Sequence, residues 1–351
     1  MKPVDGRLHH MTSSGTRVAI IGTGLIGGSL LRALATTGLP VSGYDADPAT
    51  RAQVRRAGHE EPGHSAVSRS AALPQAPGQP RWHIADSLPG AVRDFGADLV
   101  VLAVPLPALP AVLDELDAIG YQGLLTDVTS VKGPVATLVA RHPALRYVGG
   151  HPMAGREHAG FEASDPELFS GRPWALCLEP DTPLEEWLAL ADLLTTIGAR
   201  VVPTTATAHD AAVARISHVP HLLATALARA STDPLAAGLA AGSFRDGTRV
   251  AASPPALVTA MCSGNAAAVR EALDALVDDL RTARELLESP EEFTRWLEPG
   301  YAMRRSWPSQ PGPESTLPAT RTELLALGQA GGWITKVAAD RRAVTAQRPA
   351  A

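Results

Sequence analysis

Short apolar runs alternate with amphipathic stretches along residues 17–204. Arg17–Ile21 is an apolar run that stops at a glycine, the pattern of a buried parallel strand. Similar runs recur at Val41–Tyr44, Leu99–Val104, Leu124–Thr126, Tyr147–Val148, Trp174–Leu178 and Val201–Val202. Helical patterns lie between several of them, at Gly28–Thr36 and Leu109–Ile119 for example. This alternation predicts an α/β domain of Rossmann type with a parallel sheet over 17–204. From Ala206 the period changes to that of helices: Val213, Ile216, Val219 and Leu223 fall on one face, and Glu271–Glu288 repeats the pattern with Leu273, Leu276, Leu280 and Leu286. No comparable strand run follows Thr205, so an all-α second domain is expected over 205–305. The Pro-rich stretch 306–318 reads as a linker. Residues 306–351 are expected to be linker and tail, with a helix at Arg321–Leu327 and disorder beyond Arg342. Residues 1–16 read as a flexible N-terminal tail, and 60–80, rich in Pro, Gly and Ser, as a loop.

Composition narrows the class. At 351 residues the chain has room for about two domains. Lys+Arg number 31 against 36 Asp+Glu, a net charge of −5, which excludes a generally basic nucleic-acid binder but not an acidic small substrate. The two cysteines, Cys177 and Cys262, form no CxxC pair, so no metal site or disulfide framework is expected. No apolar run reaches the length of a membrane span, and residues 1–15 lack the apolar stretch of a signal peptide. A cytoplasmic protein without membrane contact is the expectation.

The first chemical motif is Gly22-Thr-Gly24-Leu25-Ile26-Gly27, directly after the first strand and opening a helix. Gly22 permits the tight turn, Gly24 lets the backbone approach a pyrophosphate, and Gly27 allows close helix–strand packing. The pyrophosphate then sits at the positive helix N-terminus. Asp45 ends the second strand, 18 residues past Gly27. A carboxylate there accepts hydrogen bonds from ribose hydroxyls and repels a 2′-phosphate, favouring NAD over NADP. Asp47 is the alternative acid. Val104–Pro105, at the end of another central run, should border the cofactor.

Four polar motifs follow: Thr126-Asp-Val-Thr-Ser130-Val-Lys-Gly133, Gly149-Gly-His151-Pro-Met-Ala-Gly155, Ser217-His218-Val-Pro-His221 and Phe244-Arg245-Asp-Gly-Thr248-Arg249-Val250. His151 follows a short strand, flanked by Gly150 and Pro152, where it would point into the cofactor crevice. An imidazole there can take a hydroxyl proton while a hydride leaves the same carbon. Ser130 could hydrogen-bond the ring or the substrate hydroxyl. His218 and His221 are three apart on a helix and share a face, and Pro220 should bend that helix. Either a core pair or a site pair fits that spacing. Arg249 offers a bidentate fork for a carboxylate, and Arg245 competes for the role.

In this order the motifs resemble the prephenate/arogenate dehydrogenase family of tyrosine biosynthesis, over about residues 17–290. The resemblance implies an NAD(P)-binding domain, a helical domain that supplies a homodimer interface, and an oxidative decarboxylation yielding an aromatic ring. By that likeness His151 is the catalytic histidine and Ser130 assists it. Arg249 grips a substrate carboxylate, and His218 and His221 line the substrate pocket. The expected substrate is prephenate, with arogenate or an amino-substituted prephenate as alternatives. A hydroxyacid dehydrogenase would want a lysine on the helix at 208–230, which has none, and an NAD-sensing protein would not need His151, Ser130 and Arg249 together. The stretch 60–80 is longer than the family pattern. No chorismate-mutase half is recognisable, and the tail does not read as a regulatory amino-acid-binding domain.

Overall fold

A computed structural model of the chain describes residues 15–60, 81–156 and 158–350. The expected N-terminal tail as far as residue 14 and the loop at 61–80 lie outside the described residues. The chain divides into two units. The first runs to Ala206 and takes up Pro313–Arg348 as well, and the second spans Thr207–Gly312 with the last few residues.

The first unit begins as the sequence pattern predicts. β1 (Val18–Ile21), β2 (Val41–Tyr44), β3 (His83–Ile84), β4 (Leu99–Leu102), β5 (Leu124–Asp127) and β6 (Arg146–Val148) form one parallel sheet in the order β3-β2-β1-β4-β5-β6. Helices α1 (Leu25–Thr36), α2 (Pro48–Glu60), α3 (Leu109–Ala118) and α4 (Gly133–Val139) connect the strands. Val18, Ile20, Leu99 and Val101 pack with α1 on one face, while Ala19, Ile21, Val100 and Leu102 pack with α3 on the other. Burial on both faces is why these strands read as unbroken apolar runs. The strand order reverses between β1 and β4, and ligands of such sheets bind at the carboxyl ends of the strands beside that point.

The single sheet expected over 17–204 is in fact two. β7 (Gly150–Pro152), β8 (Pro173–Cys177) and β9 (Arg200–Thr204), with α5 (Leu184–Thr196), start a second, mixed sheet. β7 pairs antiparallel with β8, and β8 parallel with β9. Apolar runs report burial but not which sheet a strand joins, so the pattern merged them.

The second unit is helical, as expected. It holds α6 (Ala206–Val213), α7 (Val219–Ala230), α8 (Pro234–Leu239), α9 (Gly242–Thr248), α10 (Pro255–Gly264), α11 (Ala266–Glu285) and α12 (Pro290–Ser306). None of the described helices is long and apolar enough to cross a membrane.

The expectation of linker and disordered tail over 306–351 is overturned. β10 (Ser315–Pro318), α13 (Arg321–Gln329), β11 (Trp333–Val337) and β12 (Ala343–Gln347) complete the second sheet, in the order β10-β12-β11-β9-β8-β7. Val344 and Ala346 alternate inward along β12, and Leu324 and Leu327 of α13 are buried with them in the core. These strands are short and half polar, which hid them behind the prolines before them. The helix expected at Arg321–Leu327 is α13.

Candidate active site

The glycine turn follows β1 directly. Gly22 has a φ of +93°, a conformation that favours glycine, and a side chain there would meet the Ala103 carbonyl oxygen at 2.4 Å. The same Cβ would lie 3.1 Å from Val104 Cγ1, so the residue that follows Ala103 also packs against the turn. At Gly27 a Cβ would stand 1.9 Å from the Gly22 carbonyl oxygen, so only glycine lets α1 reach the strand. At Gly24 a Cβ would meet nothing within 4 Å, leaving open space in front of the helix. No side chain caps α1, so the N–H groups of its first turn, at Leu25, Ile26 and Gly27, are left for an anion. An open cradle at an uncapped helix N-terminus fits a dinucleotide pyrophosphate.

Asp45 ties this turn to β2. Its Oδ2 accepts from the Thr23 N–H at 2.8 Å and its Oδ1 from the Asp47 N–H at 3.0 Å. Oδ2 also accepts from the Thr23 hydroxyl at 3.3 Å, so Oδ1 is the oxygen that retains acceptor capacity for a ribose hydroxyl. Asp47 is engaged elsewhere. It accepts from the N–H groups of Ala49 and Thr50, capping the first turn of α2. The Thr50 hydroxyl first, and those N–H groups after it, hold the Asp47 carboxyl below its usual range. Of the two acids, Asp45 is the one bonded to the glycine turn.

His151 is not at the end of a parallel strand. It sits half-buried in the middle of β7, opposite Ala175 of β8. The pair Gly149–Gly150 lets the chain leave β6 and turn into the second sheet. A Cβ on Gly150 would lie 2.8 Å from the Asp127 carbonyl oxygen and 3.0 Å from Trp174 Nε1. Ser130 stands half-buried in the turn between β5 and α4.

Two residues that sequence reading passed over join these elements. Asp127 and Lys132 are 0% and 1% exposed and form an ion pair. Lys132 Nζ also donates to the Gly150 carbonyl at 2.6 Å, and the Gly150 N–H donates to Asp127 Oδ1 at 3.1 Å. The Tyr147 hydroxyl donates to the same Oδ1 at 2.7 Å. Both charges lie inside the Asp127–Lys132 motif. The available signal was an aspartate and a lysine five apart in that polar motif.

In the helical unit the two histidines diverge. Residues 214–218 form a π-helical turn ahead of Pro220, where a bend was expected. His218 and His221, three apart at the end of that turn, differ in burial and in partners. His218 is 1% exposed, with Nδ1 at 3.3 Å from Asn265 Nδ2. Burial, assisted by His209 and His221 and opposed by Asp210, pushes it down to about 4. It is therefore a neutral interior group. His221 is half-buried; its Nδ1 meets the Ser217 carbonyl at 2.8 Å and its Nε2 the Ser253 hydroxyl at 3.3 Å. Arg245 is exposed on α9 and pairs with Asp246 at 3.2 Å. Arg249 is exposed where the chain leaves α9. Among the described residues no cluster of His, Cys, Asp and Glu could hold a metal.

Fold and glycine turn together define a dinucleotide-binding oxidoreductase with an appended helical unit. The model of the prephenate dehydrogenase nucleotide-binding domain matches residues 82–203, and that of the prephenate dehydrogenase dimerization domain matches 205–298. A third model, of coenzyme F420-dependent NADP oxidoreductases, matches 17–130, the half that carries the glycine turn. The cyclohexadienyl dehydrogenase of Zymomonas mobilis is 33% identical over 283 residues, covering 78% of this chain and 88% of that protein. The crystal structure of prephenate dehydrogenase from A. aeolicus, in complex with hydroxyphenyl propionate and NAD+, has a TM-score of 0.71 at 26% identity, covering 83% and 98% of the two chains. Synechocystis arogenate dehydrogenase has a TM-score of 0.67 at 25% identity, covering 83% and 100%. The chain belongs to the prephenate dehydrogenase family, and its cofactor is NAD.

Proposed function

We propose that the protein oxidises prephenate with NAD, releasing carbon dioxide and 4-hydroxyphenylpyruvate. The observation that carries this reading is the position of His151, half-buried on β7 and joined through one buried ion pair to the loop of Ser130. Gly22, Gly24 and Gly27, the N–H groups of Leu25 and Ile26, and Asp45 hold the cofactor, with Val104 and Pro105 beside it. When bound, NAD supplies the hydride acceptor. His151 takes the proton of the substrate's C4 hydroxyl as C4 is oxidised, directly or through Ser130. The C1 carboxylate then leaves as carbon dioxide, its bonding electrons completing the aromatic ring, and the proton returns to the phenolic oxygen. Atoms and charge balance without any further reactant.

Arg249 of the helical unit is assigned the substrate carboxylate, with Arg245 as the alternative. Of the two histidines, His221 is the one proposed to meet substrate, because its Nε2 is near only a hydroxyl, whereas His218 is interior. A homodimer is proposed through the helical unit. The match to a dimerization domain supports it, and so does the placing of exposed apolar side chains. Every exposed large hydrophobic among the described residues falls in this unit, from Ile216 and Leu227 to Tyr301 and Trp307. Two free thiols, Cys177 and Cys262, support a cytoplasmic setting.

Steady-state NADH formation tests the reading, with prephenate, arogenate and 4-amino-4-deoxyprephenate offered in turn, each with NAD and NADP. Preference for prephenate and NAD is the expected result. Turnover of arogenate alone would transfer the site to the amino-acid substrate.

A further inference from the structure

Buried ion pairs are expensive to desolvate, and an apolar pair of the same volume is often as stable. Asp127 and Lys132 are fully buried, and no step of the proposed reaction uses them. Their partners indicate what they do. β7 is the edge strand of the second sheet. Gly149 and Met153 exchange backbone hydrogen bonds with the β8 side, through Cys177 N–H and the Pro173 carbonyl. Gly150 points the other way, where no strand of the described residues follows, and the ion pair takes the place of one. Asp127 accepts its N–H and Lys132 donates to its carbonyl. Asp127 also accepts from the Thr129 N–H at 3.0 Å, at the start of the turn that bears Ser130. Gly149 packs closely against the same groups: a Cβ there would lie 3.0 Å from the Tyr147 hydroxyl oxygen and 3.4 Å from Lys132 Cδ.

We propose that Lys132 and Asp127 are positioning residues for His151. They clamp the peptide groups of the residue before it, and they fix the Ser130 turn to the same anchor, so that ring and hydroxyl keep one relative placement. The proposal rests on the reading of His151 as the base. A hydrocarbon pair could fill the same volume but could not pair the N–H and carbonyl of Gly150.

A double-substitution cycle in the full-length protein tests it, with prephenate and NAD as substrates. Lys132→Met keeps the bulk and removes the donor. It is expected to lower kcat about 100-fold, the loss that follows from misplacing a catalytic group by about 1 Å. NAD affinity, read by fluorescence titration, should change less than about twofold. In a His151→Ala background, which leaves no ring to aim, the same substitution should change kcat less than about threefold, since groups acting through one another do not add. A full further loss in that background overturns the proposal, because Lys132 would then act independently of His151. A Lys132→Met enzyme with kcat within about threefold of wild type overturns it too. If His151→Ala alone leaves kcat intact, both the base and its clamp are rejected, and that arm separates the two failures. Should Lys132→Met not fold, as judged by circular dichroism, Tyr147→Phe removes one donor to Asp127 and runs the same cycle. It is then expected to cost about fivefold with His151 present and nothing without it. Equal losses in both backgrounds overturn the proposal.

Discussion

One methyl group added at Gly24 and one at Gly27 should separate cofactor binding from folding. At Gly24 the φ of −69° is ordinary for alanine, and the new Cβ meets no protein atom within 4 Å. Alanine is a poorer helix N-cap than glycine, by about 0.5–1 kcal/mol. The stiffer unfolded chain offsets about the same amount. Gly24→Ala should therefore melt near wild type. Its Cβ, however, fills the space the pyrophosphate needs, and NAD affinity should fall at least about tenfold, or about 1.4 kcal/mol. At Gly27 the Cβ would stand 1.9 Å from the Gly22 carbonyl oxygen and 2.9 Å from Ala103 Cβ, so helix and strand must part. Overpacking costs about 1–3 kcal/mol, and a clash with backbone belongs at the upper end. At about 2–4 °C per kcal/mol, the N-terminal unit of Gly27→Ala should melt about 6–12 °C below wild type. Thermal unfolding by circular dichroism and NAD titration by fluorescence read the two effects. Wild-type NAD affinity in Gly24→Ala, or a wild-type melting temperature in Gly27→Ala, would refute the assignment of the turn.

Arg249→Ala should raise KM for prephenate far more than it lowers kcat, with about 2–5 kcal/mol of substrate binding lost in a steady-state assay. An unchanged KM would hand the carboxylate to Arg245. His218 carries a pH signature: its folded value of about 4 lies below the ordinary 6.5, so the unfolded chain takes up the proton first. Stability from this residue is complete above about pH 6.5 and is lost as pH falls towards 4, by at most about 3 kcal/mol. The difference in urea-unfolding free energy between wild type and His218→Gln should shrink over that window, and a pH-independent difference would contradict the burial argument. Light scattering should show a dimer at micromolar concentration, and Leu227→Asp with Leu280→Asp, on exposed apolar positions, should yield monomers.

Much of the first unit was legible because each central strand of its parallel sheet is buried on both faces and so reads as an apolar run. β1, β2 and β4 are of this kind. The glycine turn was legible for the same reason of forced chemistry: Gly22 and Gly27 each meet a distinct steric demand, and Gly24 borders the open space in front of α1. What stayed hidden depends on distance along the chain. Nothing local to Trp174 or Val201 tells that their strands leave the first sheet, since that follows from β7 turning back at Gly149–Gly150. β12 alternates Ala343-Val-Thr-Ala-Gln347, a faint period-two signal beside a Pro-rich stretch that suggested disorder. The Asp127–Lys132 clamp could not be inferred because its third partner, Gly150, lies 18 residues past Lys132. His218 and His221 were separable only once their partners Asn265 and Ser253, more than 30 residues further along the chain, were visible.

The role of His151 is decided by the pH dependence of kcat/KM for prephenate oxidation, measured as NADH absorbance in wild type and in His151→Asn. A neutral imidazole is required for proton removal, so the wild-type rate should climb with pH through a histidine ionisation and then level. His151→Asn should lose about 10²–10⁴ in rate, and the climb with it. A variant that keeps its rate within about tenfold, on the same ascending limb, would place the base on another residue.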